Sequence, residues 1–273
     1  MFIDSGRCIS VEYPGNVTAP SLPVPAVVRL LAEPVRWRLM RELASGDCRV
    51  RELTAAVCQP QNLVSYHLRM LRAAGLVTSR RSSFDGRDTY YSLDFDSCAR
   101  ALAASVSSLH PGLALPPAVP EPGAAPELRR RVLFVCTGNT GRSPMAEALL
   151  RHQGGAHAEA ASAGISPKPL HPDAVSVMRD RYRIDISCHR PTPVEAVAHE
   201  RFDFVITLCD KAREHCPDFH GHPGRIHWSM PDPAAAEGDL AGYPAFERTA
   251  AELETRIRFL LPVLPGTISP ATG

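Results

Sequence analysis

One stretch of this chain carries the residue types needed for nucleophilic attack on an oxyanion. It reads Arg131-Val-Leu-Phe-Val-Cys136-Thr-Gly-Asn-Thr-Gly-Arg142-Ser143-Pro-Met-Ala-Glu147-Ala-Leu-Leu150. A short apolar run ends at Cys136. Thr137, Gly138, Asn139, Thr140 and Gly141 follow, and after Arg142, Ser143 and Pro144 comes an Ala/Leu/Glu-rich run of strong helix propensity. The spacing predicts a strand, a tight loop and a helix, with Pro144 near the first helical position, where a missing N–H costs nothing. A loop at a helix N-terminus turns backbone N–H groups inward and carries the positive end of the helix dipole, so it suits a tetrahedral oxyanion. The same field, together with Arg142, favours Cys136 as a thiolate. A lone strand-end cysteine is more often buried and inert; two loop glycines and the Arg-Ser that follows argue against that here.

Two more cysteines bear on the chemistry. In Thr207-Leu-Cys209-Asp-Lys-Ala-Arg-Glu-His-Cys216-Pro217, Cys209 ends a strand as Cys136 does, and Cys216 lies seven residues on. Within a wound helix that spacing is roughly 10 Å of rise, more than the Cα separation a disulfide allows. If the two bond, the segment between them must loop out or unwind. A third motif, His227-Trp-Ser-Met-Pro-Asp232-Pro233, holds a carboxylate between two prolines in a stiff loop, placed to protonate a leaving oxygen or simply to form a turn.

The elements that position these residues follow from periodicity. Ala158 to Gly164 reads as a strand and turn, His171 to Tyr182 as a helix with Val175 and Met178 inside, Phe202 to Leu208 as a buried strand and Arg225 to Trp228 as a shorter one. Pro244 to Leu261 reads as a last helix with Phe246, Ala250, Leu253, Ile257 and Leu260 on one stripe. Strands alternating with helices argue for a parallel α/β sheet, with its ligand at the carboxyl ends of the strands, where Cys136 lies.

The Cys136–Ser143 loop resembles the phosphate-binding loop of the low-molecular-weight protein tyrosine phosphatase fold, which also hosts arsenate reductases; the loop alone does not say which chemistry is run. With Cys209, Cys216 and Asp232 added, the set resembles a thioredoxin-coupled arsenate reductase. That resemblance implies attack of Cys136 on arsenate held by the loop amides and Arg142, with Asp232 as general acid and Ser143 bonded to the Cys136 thiolate. It further implies a Cys136–Cys209 disulfide passed outward to Cys209–Cys216 for reduction by thioredoxin. It implies no organic cofactor, and a potassium site resembling Asn139, Glu147, Ser162 and Asp185. Many relatives have another loop cysteine where this chain has Gly141, and Cys188 reads as a bystander. The alternative is a tyrosine phosphatase, which needs Cys136, Arg142 and Asp232 but neither Cys209 nor Cys216.

The whole chain has 273 residues, enough for two domains, with a net charge of +1 and eight cysteines. The charge balance excludes bulk polycationic character, so any DNA-binding face is local. No apolar run approaches the roughly 18 residues that mark a membrane helix. The N-terminus lacks the layout of a signal peptide, so a cytoplasmic location without membrane attachment is expected. Cysteines this sparse point to catalysis, redox cycling or metal binding rather than a disulfide scaffold. The stretch from His110 to Pro126 holds six prolines and one charge, Glu121, which predicts a semi-rigid spacer. The expected division is residues 20–110, a linker at 111–127, and residues 128–264.

In the first part, Ala26 to Ala44 has Val35, Leu39 and Leu43 at helical spacing, Arg49 to Val57 forms a second helix and Gln61 to Ala74 a third. On the third helix Val64, Leu68 and Leu71 face inward; Gln61, Asn62, Ser65, Tyr66 and Arg69 face out, as major-groove reading requires. Two strand-like runs, Leu76 to Arg81 and Asp88 to Leu93, flank Asp85-Gly86, a hairpin signal. Such a hairpin is a wing whose Arg80, Arg81 and Arg87 could meet phosphates. Leu31-Ala-Glu-Pro-Val-Arg-Trp-Arg-Leu-Met-Arg-Glu-Leu-Ala and Leu63-Val-Ser-Tyr-His-Leu-Arg-Met-Leu-Arg-Ala-Ala-Gly-Leu-Val resemble the ArsR/SmtB winged-helix repressors over roughly 24–95. The expected architecture is an α+β winged helix-turn-helix followed by an α/β parallel-sheet domain. The resemblance implies a homodimer on operator DNA, released by a metal or metalloid. Arsenic-responsive members often carry Cys-x-Cys before the second of these helices, and here only Cys48 stands there. A thiolate site for arsenite as regulatory ligand would draw on Cys48 or Cys58 with Cys8 or Cys98, within one chain or across the dimer. The combined expectation is an arsenic-responsive repressor fused to an arsenate reductase.

Overall fold

The computed structural model describes residues 24–84, 86–110, 129–155, 158–219, 221 and 223–264. Cys8, Asp85 and the linker at 111–127 lie outside them.

The first apolar periodicity divides in two at a proline. α1 (Ala26–Leu31) stops before Glu33-Pro34, and α2 (Pro34–Ser45) starts on the proline itself. Pro34 has no N–H for the preceding turn, and Glu33 caps the new helix by accepting a hydrogen bond from Arg36 N at 2.8 Å. The single helix expected over 26–44 is therefore two, and Val35, Leu39 and Leu43 remain a buried stripe. A two-residue strand, β1 (Cys48–Arg49), leads into α3 (Val50–Val57), and α4 (Gln61–Ala73) follows. β2 (Val77–Arg81) and β3 (Thr89–Leu93) form the hairpin, and the antiparallel sheet has the order β1-β3-β2. α5 (Phe95–Leu109), capped by Asp94, packs back against α1. Leu39, Leu53, Val64, Leu68 and Leu71 close this core.

The second core is built on β4 (Arg130–Cys136), β5 (Ala158–Gly164), β6 (Phe204–Thr207) and β7 (Gly224–His227), all parallel, in the order β5-β4-β6-β7. α6 (Arg142–Gly154), α7 (Pro172–Tyr182), α8 (Val194–Val197), α9 (Asp210–His215) and α10 (Tyr243–Leu260) connect and follow the strands. Val132 to Cys136 are buried without interruption, as expected of a strand covered on both faces. In α7 the fully buried positions are Ala174, Val177 and Met178, with Val175 at the edge of the core. Phe246, Ala250, Leu253, Ile257 and Leu260 form the buried stripe of α10. The strand order reverses at β4, which has β5 on one side and β6 on the other. Cys136, its last residue, thus sits at the switch point where parallel sheets gather ligands. No described helix is long and apolar enough to cross a membrane.

Buried charge contributes much of the join between the two cores. Asp47 is 3% exposed; its N–H donates to the His227 carbonyl at 2.7 Å and its carboxylate accepts from Ser229 N at 2.6 Å. Arg256 donates both Nη atoms to the same carboxylate at 3.1 and 3.2 Å and lies over the Trp228 ring. A Cβ at Gly46 would come within 3.3 Å of the His227 backbone, so the chains meet there at glycine distance. Phe95 stacks on Phe259 at 4.9 Å beside an Arg258–Asp96 ion pair.

Removing one partner of a buried ion pair leaves the other charge uncompensated. Asp47→Ala, which leaves Arg256 only Glu252, is expected to lower unfolding stability by about 3 kcal/mol in a urea titration. A loss below about 1 kcal/mol, the range of surface pairs, would show that this join is weak.

Candidate active site

The loop after β4 is shaped from outside. The carbonyls of Cys136, Thr137, Gly138 and Thr140 accept hydrogen bonds from Ile165 N (3.1 Å), Ser166 N (2.8 Å), Lys168 N (2.9 Å) and His171 N (2.9 Å). Each peptide unit is planar and trans, so an outward carbonyl turns the next N–H inward. Asn139 N donates in this way to Cys136 Sγ at 3.2 Å. Asn139 itself is left-handed, with φ 52°, a strained conformation held by its side chain. Its Nδ2 donates to Ser143 Oγ and Ser162 Oγ, both at 2.9 Å, and its Oδ1 accepts from Thr192 N at 2.9 Å and meets His189 Nε2 at 3.1 Å.

Around the sulfur, Ser143 Oγ lies 3.0 Å from Cys136 Sγ, and Arg142 opens α6 with its side chain 6% exposed. Arg142 donates to the Met230 carbonyl at 3.0 Å and pairs with Asp232 at 3.4 Å. Asp232 is half exposed, so it bridges solvent and the loop. The arrangement combines a nucleophilic sulfur, inward amides, a guanidinium and a carboxylate, as displacement at a tetrahedral oxyanion requires.

Cys209 is buried beside this loop, its Sγ 3.2 Å from Thr137 Oγ1. It caps α9 by accepting from Ala212 N at 3.4 Å. Burial pushes its thiol up, the Arg142 charge pulls it back down and Cys136 pushes it up again. Cys216 is the C-cap of the same helix, half-buried, and burial pushes its thiol up to about 11. It lines a cavity of about 340 Å³ between the two cores, and Cys48 lines the same cavity.

Three of the residues expected to hold potassium are bonded to one another. Asn139 turns its amide nitrogen, not its oxygen, toward Ser162; Ser162 donates to Glu147 at 2.6 Å and Glu147 pairs with Arg151 at 2.8 Å. Asp185 accepts from Ser187 N at 2.9 Å and lines a neighbouring cavity together with Glu147 and Cys188. Asn139, Ser162 and Glu147 satisfy one another.

The cysteines expected to sense arsenite are dispersed. Cys48 faces the cavity between the cores, Cys58 is exposed at the end of α3, and Cys98 is buried with its Sγ directed at the Leu76 carbonyl. Among the described residues no three Cys, His, Asp or Glu side chains gather as a metal-holding group. Gln61, Asn62, Ser65, Tyr66 and Arg69 of α4 are exposed, as are Arg81 and Arg87. Arg80 is a correction: it turns away from the wing surface and donates to Asp210 at 3.3 Å and to the Ser229 carbonyl at 3.2 Å, bound to the second core rather than open to a phosphate. A strand arginine looks the same in sequence whichever anion it meets.

Sequence reasoning missed Asp210, His227 and Ser229. Asp210 accepts from Ser229 Oγ at 2.5 Å, from Ser83 N at 2.8 Å and from His227 Nε2 at 3.2 Å. Its burial would raise the carboxyl, but hydrogen bonds from His227, Ser229 and Ser83 and the Arg80 charge outweigh that and hold it well below the usual carboxylate range. Burial lowers His227, whose Nδ1 meets Thr207 Oγ1 at 2.8 Å. The available signal was a carboxylate directly after Cys209.

The two cores match different families of known proteins. Residues 131–267 match the family model "Low molecular weight phosphotyrosine protein phosphatase", and residues 33–79 match "Bacterial regulatory protein, arsR family". An arsenate reductase of Bacillus anthracis is 36% identical over 132 residues, covering 48% of this chain and 94% of that protein. One from Shouchella clausii is 37% identical over 131 residues, again 48% and 94%. The solved arsenate reductase of Archaeoglobus fulgidus is 27% identical with a TM-score of 0.40, covering 48% of this chain and 98% of that one.

Gly164 sits directly beneath the loop, where an added Cβ would lie 2.9 Å from Asn139 N and 3.0 Å from the Gly138 carbonyl carbon. Backbone cannot yield as a side chain does. Gly164→Ala is expected to weaken arsenate protection of Cys136 against alkylation roughly 10- to 100-fold, with the circular dichroism spectrum unchanged. Equal protection in parent and variant would show that the loop does not depend on this packing.

Proposed function

Through residues 131–267 the chain belongs to the low-molecular-weight phosphotyrosine protein phosphatase family, and on that premise we propose that it reduces arsenate to arsenite by a three-cysteine relay. The observation that carries this reading is the place of Cys209: its sulfur is buried against Thr137 of the Cys136 loop, and Cys216 closes the other end of the same six-residue helix. A phosphatase has no use for either. The arsenate reductases of Bacillus anthracis and Shouchella clausii support the same choice.

In this reading the loop amides and Arg142 hold arsenate, and the Cys136 thiolate bonds to arsenic as Asp232 protonates a departing oxygen, which leaves as water. Cys209 then attacks Cys136 Sγ. The S–As bond breaks with its electron pair remaining on arsenic, which leaves as arsenite; two thiols have lost the two electrons arsenic gained. Cys216 attacks Cys209, Cys136 departs as a thiolate, and the Cys209–Cys216 disulfide is reduced by a dithiol protein of the thioredoxin class. Ser143 donates to the resting Cys136 thiolate.

We assign residues 20–110 to an operator-binding, arsenite-responsive repressor domain, 111–127 to a spacer and 128–264 to the reductase. The exposed polar face of α4 supports major-groove contact, with Gln61, Asn62, Ser65, Tyr66 and Arg69 as readers. Val24, Val28, Leu102 and Leu109, exposed on or beside the packed α1 and α5, support a homodimer through these helices. The second reading, a phosphatase, would use the same Asp232, 3.4 Å from Arg142, as general acid for a phosphate ester.

The test is arsenate-dependent oxidation of reduced thioredoxin by the purified protein. Cys136→Ser, Cys209→Ser and Cys216→Ser are each expected to abolish turnover, while an aryl phosphate assay is expected to survive the Cys209/Cys216 double substitution only if the phosphatase reading holds. Normal arsenate turnover in that double variant would end the relay reading. Cys216, at about 11, is almost wholly protonated near neutrality. As a thiol with a raised value it becomes a better nucleophile as pH rises, so the second exchange is expected to speed up about tenfold per unit from pH 7 to 9. A flat profile in stopped-flow thiol exchange would contradict an attack by Cys216 from this environment.

A further inference from the structure

Helix α9 is the segment between Cys209 and Cys216, and it is also the part of the second core that the first core grips. Asp210 accepts from Ser83 N at 2.8 Å, Ser83 Oγ at 3.2 Å and Arg80 at 3.3 and 3.4 Å. Arg213 donates to Glu52 at 2.7 Å and to the Asp47 carbonyl at 3.3 Å. Glu214 accepts from Arg49 at 3.0 Å, and the His215 ring meets the Phe84 edge at 5.4 Å. Asp210, Arg213 and Glu214 are spaced i, i+3, i+4 and share one face only while the helix is wound.

The Cys209–Cys216 bond sets an opposing demand. Across a wound helix the caps stand roughly 10 Å apart, and a disulfide needs Cα atoms within about 7 Å. The wound helix with its grip and the Cys209–Cys216 disulfide therefore exclude each other.

We propose that the winged-helix domain is a clamp on the thiol relay: Arg80, Ser83, Glu52 and Arg49 are positioning residues that keep α9 wound, and the second thiol transfer proceeds only as they release it. The proposal rests on the relay described above. The gated step is an exchange with no net redox change. The Cys216 thiolate bonds to Cys209 Sγ, the Cys136–Cys209 bond breaks and Cys136 takes the electron pair. The first transfer, from Cys209 to the arsenic-bearing Cys136, needs no unwinding and is not gated. Release of α9 also frees the Ser83 amide from Asp210 and leaves Arg80 its bonds to Ser229, so the oxidised enzyme loosens a wing that the reduced one holds.

The full chain is treated with one equivalent of arsenate without thioredoxin, quenched by alkylation at intervals, and the disulfides are mapped by peptide mass. In the unmodified protein Cys136–Cys209 should form first and convert slowly. Arg80→Ala should leave the formation of Cys136–Cys209 unchanged and speed its conversion to Cys209–Cys216 about tenfold or more, as loss of a hydrogen bond to a charged group predicts. Arg80→Lys should restore most of the delay. In parallel, hydrogen exchange on the unmodified protein should show the amides of residues 80–84 protected when reduced and exposed after arsenate oxidation, with no change in Cys216→Ser. Equal conversion rates in Arg80→Ala and parent, or wing amides indifferent to oxidation, would overturn the clamp while leaving the relay intact. Absence of any Cys136–Cys209 disulfide would overturn the relay and the clamp together.

Discussion

The outward turn of four loop carbonyls, those of Cys136, Thr137, Gly138 and Thr140, is the constraint on which the active site depends. Ile165, Ser166, Lys168 and His171 take these carbonyls along the segment that follows β5. That segment can do so only because β5 pairs with β4 in register up to Cys136 and Gly164. Sheet order thus becomes loop shape, and loop shape becomes a ring of inward amides. Asn139 accepts an unfavourable backbone conformation in the middle of the loop, and its side chain, bonded to Ser143, Ser162 and Thr192, makes that conformation the only one that fits.

A second constraint is electrostatic. Asp47, Asp210, His227 and Arg256 are all taken from water where the two cores meet. Burying charge is costly unless every lone pair and proton finds a partner, and such an arrangement fixes one geometry more than it adds stability. Each of these groups is fully engaged, which makes the junction specific in angle and register. The thiol at Cys216 and the half-buried Cys48 line the cavity left beside this junction.

Local patterns were legible in the sequence where neighbours in the chain are neighbours in space. The Cys136–Ser143 loop, the α10 stripe from Phe246 to Leu260 and the hairpin of Val77 to Leu93 follow from periodicity and turn chemistry alone. Pro34 does not show in the periodicity, because Val35, Leu39 and Leu43 keep their spacing beyond the break that it imposes. Contacts between the cores were not legible. Arg80 on an outer strand carries no mark that its anion is Asp210, some 130 positions later, and nothing beside Asp47 in the sequence marks Arg256 as its partner. Cys48, Cys58 and Cys98 share a residue type but stand in three environments, which composition cannot distinguish.

One feature of the loop bears on how Cys136 would meet an oxidant. Gly141 has no side chain, and an added Cβ would stand 2.8 Å from the Phe246 ring. The ring fills the corner where another residue would project, so the loop is built around a single sulfur. If a peroxide converts Cys136 to a sulfenic acid, no thiol within the loop can condense with it and lock the loop shut. In the proposed relay Cys209 would make that repair, and a reductant able to regenerate the enzyme after turnover would also rescue it after damage.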